Sequence, residues 1–323
     1  MNNKMCMPVD LSVHIYNVPP AEYEVMFRHP VTVFDRVDFA GLNRCRADEV
    51  EYLAFVSSDG TPVMGWIAGR QADKLMMPFS APYSMPAVVG NPSYATLVAC
   101  CGALRDYCRG TDVKITLPAD FYSPAVLPML RDALMATGAE IGYSDFNYHV
   151  GVVDAADIAN MPRRTARQEM RRVLSDQQVK YEILDAADDA DIARAYHIIS
   201  ENHTGKGYPV KMSLSQVTDT IKMLGGLVSV VTYGGNDAAA QLGYFSAGHV
   251  YQPVYWGDLA QWSAVHPMKA LFYNLCAHLR GLGFDGILDL GPSSEFGVPS
   301  PGLCAFKESL GCILSMKTTL FYR

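Results

Sequence analysis

Hydrophobic and polar residues alternate along two separate stretches of the chain, and turn-forming residues interrupt each stretch once. In the first, VEYLAFV from Val50 and PVMGWIAG from Pro62 flank a turn that contains Asp and Gly. In the second, LVSVVTY from Leu227 and AAQLGYFSAG from Ala239 flank a Gly-Gly-Asn-Asp turn. Alternation with a period of two is typical of half-buried strands, and such turn residues join neighbouring strands. The pattern therefore predicts one β-hairpin in each half of the chain.

The elements after the two hairpins also follow one order. An amphipathic helical segment begins near Ala95 in the first half and near Met268 in the second, and a short apolar strand follows each. A loop that contains proline, a second amphipathic helix and a closing strand complete both halves. A repeated order of elements indicates a duplicated domain. We expect an α/β protein with two domains, residues 1–155 and 156–323, each a mixed, mostly antiparallel sheet flanked by helices.

The C-terminal segment carries the densest set of functional signals. The apolar run Ile287–Leu290 predicts a buried strand, and Gly291–Pro301, rich in Gly, Pro and Ser, predicts a loop. Apolar residues then recur at helical spacing, at Leu303, Phe306 and Leu310. Lys307 follows the core-facing Phe306, so we expect it at the border of the apolar face. Ligands of α/β proteins collect where strands end and loops begin, which makes this segment a candidate site.

A helix of unusual charge is predicted after the boundary between the two halves. It begins at Arg163 and carries five arginines and one glutamate up to Arg172, whereas the whole chain has a formal net charge of −7. Two interpretations of this face stay open. It binds an anionic substrate, since guanidinium groups suit phosphate and carboxylate, or it is solvated and paired with the acidic stretch 185–191.

Composition limits the classes of protein to be considered. The net charge of −7 gives no general attraction to nucleic acid. No run approaches the ~20 apolar residues of a membrane span, and the N-terminus lacks a signal arrangement, so we expect a cytoplasmic protein without a membrane span. The 8 cysteines show no metal-binding spacing and are expected to be buried free thiols, and no metal or redox cofactor is implied.

The C-terminal pattern DLG, loop, GLxxFKxxLG, which spans Asp289–Gly291 and Gly302–Gly311, resembles the signature of FemABX-like proteins. Those are transferases with two tandem GNAT-like domains, in which the final strand can pack back on the first domain. The internal repeat agrees with that architecture. The resemblance implies transfer of an acyl or aminoacyl group from an activated donor to a primary amine. Acyl-CoA or aminoacyl-tRNA would be the donor, and an anionic small molecule or cell-wall precursor the other substrate.

The resemblance also assigns roles to residues. It places Lys307 at the family's functional lysine, and a GNAT site needs a base and often a tyrosine acid, for which Tyr251 and Asp258 are the candidates. Strand packing and a turn are the alternative explanation for those two. The expected substrate-binding residues are Arg164, Arg167 and Arg171 on the basic helix, Ser293 and Glu295 in the glycine-rich loop, and Phe79 and Tyr83 in PFSAPYSMP. The last two come from the composition of that proline-rich loop, which is an acceptor-binding wall or only a rigid turn.

Two departures from the family bear on the donor. The long helical arm associated with tRNA binding is absent, which weakens the tRNA interpretation. The Q/R-x-x-G-x-G/A turn that holds pyrophosphate is also absent, since SAVHPMKAL stands in its place from Ser263, so we do not expect acyl-CoA to dock by the usual route. The alternative function is a catalytically silent tandem-GNAT module that binds an anionic ligand or partner.

Overall fold

The structure, a computed structural model, describes residues 12–208 and 210–323. The chain forms two compact units, which we call the N-unit and the C-unit. The N-unit runs up to Ser144 and includes Lys317–Arg323, and the C-unit is Asp145–Met316. The C-unit therefore begins inside the strand that the sequence pattern places at the end of the first domain.

The predicted order of hairpin, helix, strand, helix and strand occurs in both halves of the chain, with further elements between these. The strands are β1 (Val13–Asn17), β2 (Glu49–Ser57), β3 (Pro62–Gln71), β4 (Lys74–Met77), β5 (Ala87–Val88), β6 (Asp112–Thr116), β7 (Glu140–Gly151), β8 (Val179–Leu184), β9 (Leu227–Tyr233), β10 (Asn236–Ala247), β11 (Val250–Asp258), β12 (Ile287–Pro292), β13 (Ser294–Glu295), β14 (Val298–Pro299) and β15 (Ile313–Tyr322). The helices are α1 (Pro20–Met26), α2 (Val37–Leu42), α3 (Tyr94–Tyr107), α4 (Leu127–Ala136), α5 (Val152–Ala155), α6 (Arg164–Ser175), α7 (Asp189–Gly205), α8 (Leu214–Leu224), α9 (Pro267–Gly281) and α10 (Pro301–Ser309).

The sheet of the N-unit has the strand order β1-β2-β3-β4-β6-β15. Its predicted hairpin is the antiparallel pair β2–β3, in which Leu53 faces Trp66. Strands β4 and β6 pair in parallel, from Lys74 opposite Asp112 onward. The first two helices pack Tyr23 and Phe27 onto β2 and β3. Burial of these aromatic faces contributes apolar area that stabilises this unit.

The core of the N-unit contains a carboxyl group. Asp35, 3% exposed, accepts hydrogen bonds from the hydroxyls of Thr32 and Ser84 and from the backbone N–H of Met85. No cation faces it among the described residues. Burial raises the pKa of Asp35 from 3.8 to about 7, because the hydrogen bonds only partly offset the loss of water.

The sheet of the C-unit has the order β7-β12-β11-β10-β9-β8. The second predicted hairpin is the antiparallel pair β9–β10, and its turn is tighter than expected, since β10 already begins at Asn236. Asp188 caps the start of α7, because its side chain accepts a hydrogen bond from the N–H of Ala190. Both units thus show the mixed, mostly antiparallel α/β architecture that the repeat predicts.

The thiols of this chain are mostly withdrawn from solvent, as expected. Five of the seven described cysteines are buried, Cys304 is half-buried, and Cys45 is exposed. Cys6 lies outside the described residues. Burial raises the pKa of Cys100, Cys108 and Cys312 to about 12. These thiols therefore stay protonated near neutral pH, which disfavours them as nucleophiles.

In the part of the chain that the structure describes, helices long enough and apolar enough to cross a bilayer are absent.

Candidate active site

Lys307 lies at the centre of the C-terminal segment. Its side chain is 1% exposed, and Nζ donates to the backbone carbonyls of Leu290, Gly291 and Pro292 at 2.8, 2.8 and 3.1 Å. An ammonium group has three N–H donors, so these contacts use all of them. Lys307 therefore ties α10 to the end of β12 and places a positive charge beneath the loop that follows.

The expected orientation of α10 was wrong in one respect. Lys307, predicted at the border of the apolar face, is the fully buried residue of this helix, whereas Leu303 is 37% exposed and Phe306 is half-buried. The reason is the cluster of carbonyl groups at the end of β12. Their partial negative charges provide a buried ammonium with the partners that it requires.

Acidic and amide side chains shape the loop around this contact. Asp289 accepts from the Asn147 side chain at 2.8 Å and from the Gly291 N–H at 2.9 Å. Asp145 accepts from the Ser294 hydroxyl at 2.8 Å and from the Gly297 N–H at 3.0 Å. These bonds replace water for a backbone that turns repeatedly, and they hold the loop in one conformation.

The two loop residues predicted to bind substrate lie in different surroundings. Ser293 is 1% exposed, and its hydroxyl has no hydrogen-bond partner among the described residues. Glu295 is exposed on β13, which pairs with β14 in a two-stranded ribbon. Only Ser293 is therefore packed with the residues around Lys307, since Cys304 of α10 approaches its carbonyl oxygen at 3.6 Å.

Sequence reasoning missed a tyrosine beside Lys307. The Tyr148 hydroxyl donates to Glu308 at 2.8 Å, and the Tyr148 ring centroid lies 5.9 Å from the Lys307 Nζ. Burial, followed by the hydrogen bond to Glu308, raises the pKa of Tyr148. Tyr148 thus stays protonated at neutral pH and can act as a proton donor. The alternation of polar and apolar residues in β7 gave no signal, because it predicts the same inward position for a core tyrosine and for a site tyrosine.

The strands β11 and β12 diverge next to this segment. They pair in parallel over only two residues of each strand, Val250 and Tyr251 on β11. Beyond that point β11 pairs with β10 as far as Asp258, and β12 pairs with β7 as far as Pro292. Two strands that separate in this way leave facing edges that do not bond to each other. Such edges can accept an extended ligand that carries amide groups.

Aromatic side chains stand on the two elements that border this opening. Trp256 on β11 and Phe306 on α10 have ring centroids 6.1 Å apart, and both rings are half-buried. Partly exposed aromatic rings offer apolar contact area with little loss of conformational entropy. The opening therefore has an apolar wall as well as polar strand edges.

Tyr251 and Asp258, the predicted acid and base, are not brought together. They lie at opposite ends of β11, roughly 20 Å apart at ~3.3 Å per residue. The Tyr251 hydroxyl is fully buried and donates to Gln241 Oε1 at 3.0 Å. Burial raises the pKa of Tyr251 well above 10.0. A Cβ at Gly243 would lie 2.6 Å from that hydroxyl, so the surrounding packing is tight.

Asp258 belongs to a different cluster at the far end of β11. Its carboxylate accepts from the Asn202 side chain at 3.0 Å and lies 3.8 Å from Lys206 Nζ. His203 lies on the same helix end, and burial lowers the pKa of His203, which favours its neutral form. Tyr251 and Asp258 therefore cannot act on one substrate atom, and their separate roles stay predictions.

The basic helix α6 packs Ala166, Met170 and Val173 into the C-unit. Arg164 and Arg171 are exposed and form no ion pair within the described residues, so the pairing with residues 185–191 does not occur there. Arg167 differs, because its Nη1 donates to the Met161 carbonyl at 2.6 Å. Arg164 and Arg171 are thus available to an anion, whereas Arg167 holds the start of the helix.

The single acid of α6 was also missed. Glu169 faces the first turn of α9 and accepts from His266 at 2.8 Å and from Lys269. Burial opposes its ionisation, but the contacts with Lys269 and His266 lower its pKa overall. A carboxylate therefore already occupies the N-terminal end of α9, where a helix otherwise attracts phosphate. The sequence signal that could have identified Glu169 is its position as a single acidic residue among five arginines.

The two aromatic residues predicted as an acceptor wall belong to the N-unit. Phe79 is half-buried and packs with the cluster of Tyr23, Phe27 and their neighbours. Tyr83 is 2% exposed, and its ring meets Phe34 edge-on at 5.0 Å. Tyr83 is a core residue in this fold, while a substrate-binding role for Phe79 stays a prediction.

Comparison with known proteins supports the architecture. Residues 162–307 match the family model described as acetyltransferase (GNAT) domain. This segment contains most of the C-unit, from α6 to Lys307. No curated protein matches the chain.

Solved structures match nearly the whole chain. FemX has a TM-score of 0.66 at 12% identity and covers 96% of this chain and 97% of its own. A tandem GNAT protein from the clavulanic acid biosynthesis pathway has a TM-score of 0.57 at 11% identity, covering 96% and 98%. The C-terminal domain of a putative lysylphosphatidylglycerol synthetase from Agrobacterium fabrum has a TM-score of 0.57 at 14% identity, and the match covers 94% of this chain and 93% of that domain. These likenesses show the fold, and the predicted FemABX-like tandem GNAT architecture is confirmed.

Proposed function

We propose that this chain, a tandem GNAT-fold protein of FemX-like architecture, transfers an acyl or aminoacyl group to a primary amine. The observation that carries the proposal is the divergence of β11 and β12 after two paired residues. Trp256 lies on β11 beyond that pairing and packs against Phe306 of α10, and β12 ends at the backbone carbonyls that Lys307 binds. This arrangement offers strand edges to the amide groups of an extended donor and places a fixed positive charge near the end of β12.

The chemistry requires little beyond positioning and charge. The free amine attacks the acyl carbonyl, a C–N bond forms, and negative charge develops on the carbonyl oxygen before the donor's leaving group departs with its electron pair. The buried ammonium of Lys307 stabilises that charge through space. Direct contact with the acyl oxygen would require Nζ to release one of its three backbone carbonyls. Tyr148, protonated and beside Lys307, would protonate the leaving group, and the proton that the attacking nitrogen loses would then restore the phenol, directly or through water.

The surroundings of α9 favour a donor that does not place pyrophosphate at this helix. Glu169 already contacts His266 and forms an ion pair with Lys269 there. A second anion at the same position would have to displace it against like-charge repulsion. This supports an aminoacyl ester donor over acyl-CoA.

The proposal is tested by incubating the purified chain with acyl-CoAs or aminoacyl-tRNAs and a panel of primary amines. Mass spectrometry should detect a new amide with one donor class. Ligand-induced thermal shifts without any turnover would instead indicate the silent binding module. Absence of both would contradict the proposal.

Replacing Trp256 with alanine should raise the KM for the donor at least tenfold and change kcat little. The indole borders the opening between β11 and β12, so its loss removes contacts made equally in the ground and transition states. Trp262→Ala is the matched control, because that ring packs against Tyr233 instead, with centroids 5.3 Å apart. Equal effects of the two substitutions would contradict a donor site at the opening.

The double substitution Arg164→Gln, Arg171→Gln should weaken binding of the anionic substrate more than tenfold while the melting temperature stays within about 2 °C. Each charge-assisted contact is worth ~1.5–3 kcal/mol, whereas an exposed arginine without an ion pair adds little stability. Arg280→Gln with Lys180→Gln removes the same charge from exposed positions elsewhere in the C-unit. Unaltered affinity of the α6 variant would show that this face is only solvated.

A further inference from the structure

One face of the N-unit sheet bears an open cavity of about 450 Å³. None of the residues assigned to acyl transfer above is among those that line it. Its lining comes from β4, β6 and the end of β15, together with one residue of β3. The lining residues are Gln71, Lys74, Met76, Asp112, Val113, Lys114, Phe321, Tyr322 and Arg323.

The pairing register explains why these side chains share one face. Lys74 stands opposite Asp112 and Met76 opposite Lys114 in the parallel pair β4–β6. Phe321 stands opposite Lys114 in the antiparallel pair β6–β15. Leu75, between Lys74 and Met76, is fully buried, and the buried residues Val113 and Tyr322 contribute to the lining beside these side chains. Alternation along each strand therefore separates a buried face from an open one that carries charge.

The open face is rich in cations that lack ion-pair partners. Lys74, Lys114 and Arg323 line the cavity with a single acidic side chain, that of Asp112. None of these cations lies within salt-bridge distance of an acid among the described residues. Lys114 is half-buried between Met76 and Phe321, so part of its hydration is lost without compensation. A bound anion would supply the missing partner.

An aromatic ring forms the apolar wall of the cavity. Phe321 lies directly over Gly142, where a Cβ would come within 2.2 Å of the ring. The glycine thus lets the ring lie close against the strand and limits its movement. The Arg323 guanidinium carbon lies 5.7 Å from the centre of the same ring. A flat apolar surface and flanking positive charges suit a ligand that combines a planar ring with an anionic group.

We propose that this cavity is a second binding site, specific for a small molecule that carries a planar ring and a phosphate or carboxylate group. The ring packs against Phe321 and Met76, and the anion lies between the ammonium groups of Lys74 and Lys114. Because the site lies within the N-unit and uses none of the proposed transfer residues, it functions whether or not the C-unit catalyses acyl transfer.

Calorimetric titration with phenyl phosphate, benzoate, inorganic phosphate and benzyl alcohol tests the proposal. Phenyl phosphate or benzoate should bind at least tenfold more tightly than inorganic phosphate or the neutral alcohol, since only they satisfy both parts of the site. Comparing the first two shows which anion the site prefers. Affinity should fall as salt concentration rises. Failure of both ring-bearing anions to bind at millimolar concentration would overturn the proposal.

Two variants test whether phenyl phosphate binds in this cavity. Lys74→Met with Lys114→Met keeps side-chain volume but removes the charge, and should weaken phenyl phosphate binding at least tenfold. Phe321→Leu should weaken it severalfold and leave inorganic phosphate binding unchanged. Lys180→Met with Arg280→Met, at exposed positions of the C-unit, is the matched control and should bind like the wild type. Equal affinity in all these proteins would overturn the assignment.

Discussion

Replacing Lys307 with methionine should lower the melting temperature by about 10 °C and reduce turnover at least a hundredfold. The substitution keeps the length of the side chain but leaves the carbonyls of Leu290, Gly291 and Pro292 without their donor. Each unsatisfied buried carbonyl costs ~1–3 kcal/mol, partly offset because a buried ammonium no longer has to be desolvated. The net loss of about 3 kcal/mol corresponds to that shift in a unit of this size.

Two further variants separate structure from catalysis at this position. Lys307→Arg keeps the charge, but a planar guanidinium cannot direct three donors at carbonyls clustered around one point, so it should not restore activity. Lys180→Met, at an exposed position, should behave like the wild type in both assays. Differential scanning calorimetry and product formation under saturating substrate give the two readouts. Normal stability and normal turnover of Lys307→Met would remove this segment from the site.

Stability of the N-unit should fall by about 4 kcal/mol relative to an Asp35→Asn variant as the pH rises from 4 to 8. The folded state raises the pKa of Asp35 from 3.8 to about 7. Below pH 4 the carboxyl is protonated in both the folded and the unfolded chain. Between pH 4 and pH 7 the Asp35 carboxyl is ionised in the unfolded chain but still protonated in the folded one, so increasing pH favours unfolding. Three pKa units correspond to about 4 kcal/mol.

The measurement is denaturant unfolding of wild type and Asp35→Asn at half-unit steps of pH. Taking the difference between the two proteins cancels the other titrating groups. Asp38→Asn is the control, since that side chain is 46% exposed and pairs with Arg36, and its difference from wild type should change little over this range. If the unfolding free energy of the wild type relative to Asp35→Asn stays constant or increases with pH, the core stabilises the Asp35 carboxylate and the prediction is wrong.

The helices, the strands and their repeated order could be predicted because they depend on local information. The hairpins β2–β3 and β9–β10 follow from alternation and turn residues, and the Asp188 cap follows from side-chain chemistry near a helix start. The strand, loop and helix around Lys307 were also readable from spacing. The resemblance in the same segment indicated the tandem GNAT fold.

The tertiary structure alone decided which way individual side chains point and which residues lie next to one another. The inward position of Lys307 depends on carbonyl groups at residues 290–292, whose orientation is set by the end of β12 and not by helical periodicity. Tyr251 and Asp258 looked close in sequence, but an extended strand separates residues by ~3.3 Å each and so placed them apart.

Long-range contacts account for the rest. Glu169 meets Lys269 across a sequence separation of 100 residues, and Phe321 reaches Gly142 through the pairing of strands far apart in the chain. The sequence by itself determined the elements and their order, because propensity and periodicity act over a few residues. Which charges became buried, paired or left open to a ligand was decided only when distant strands and helices came together.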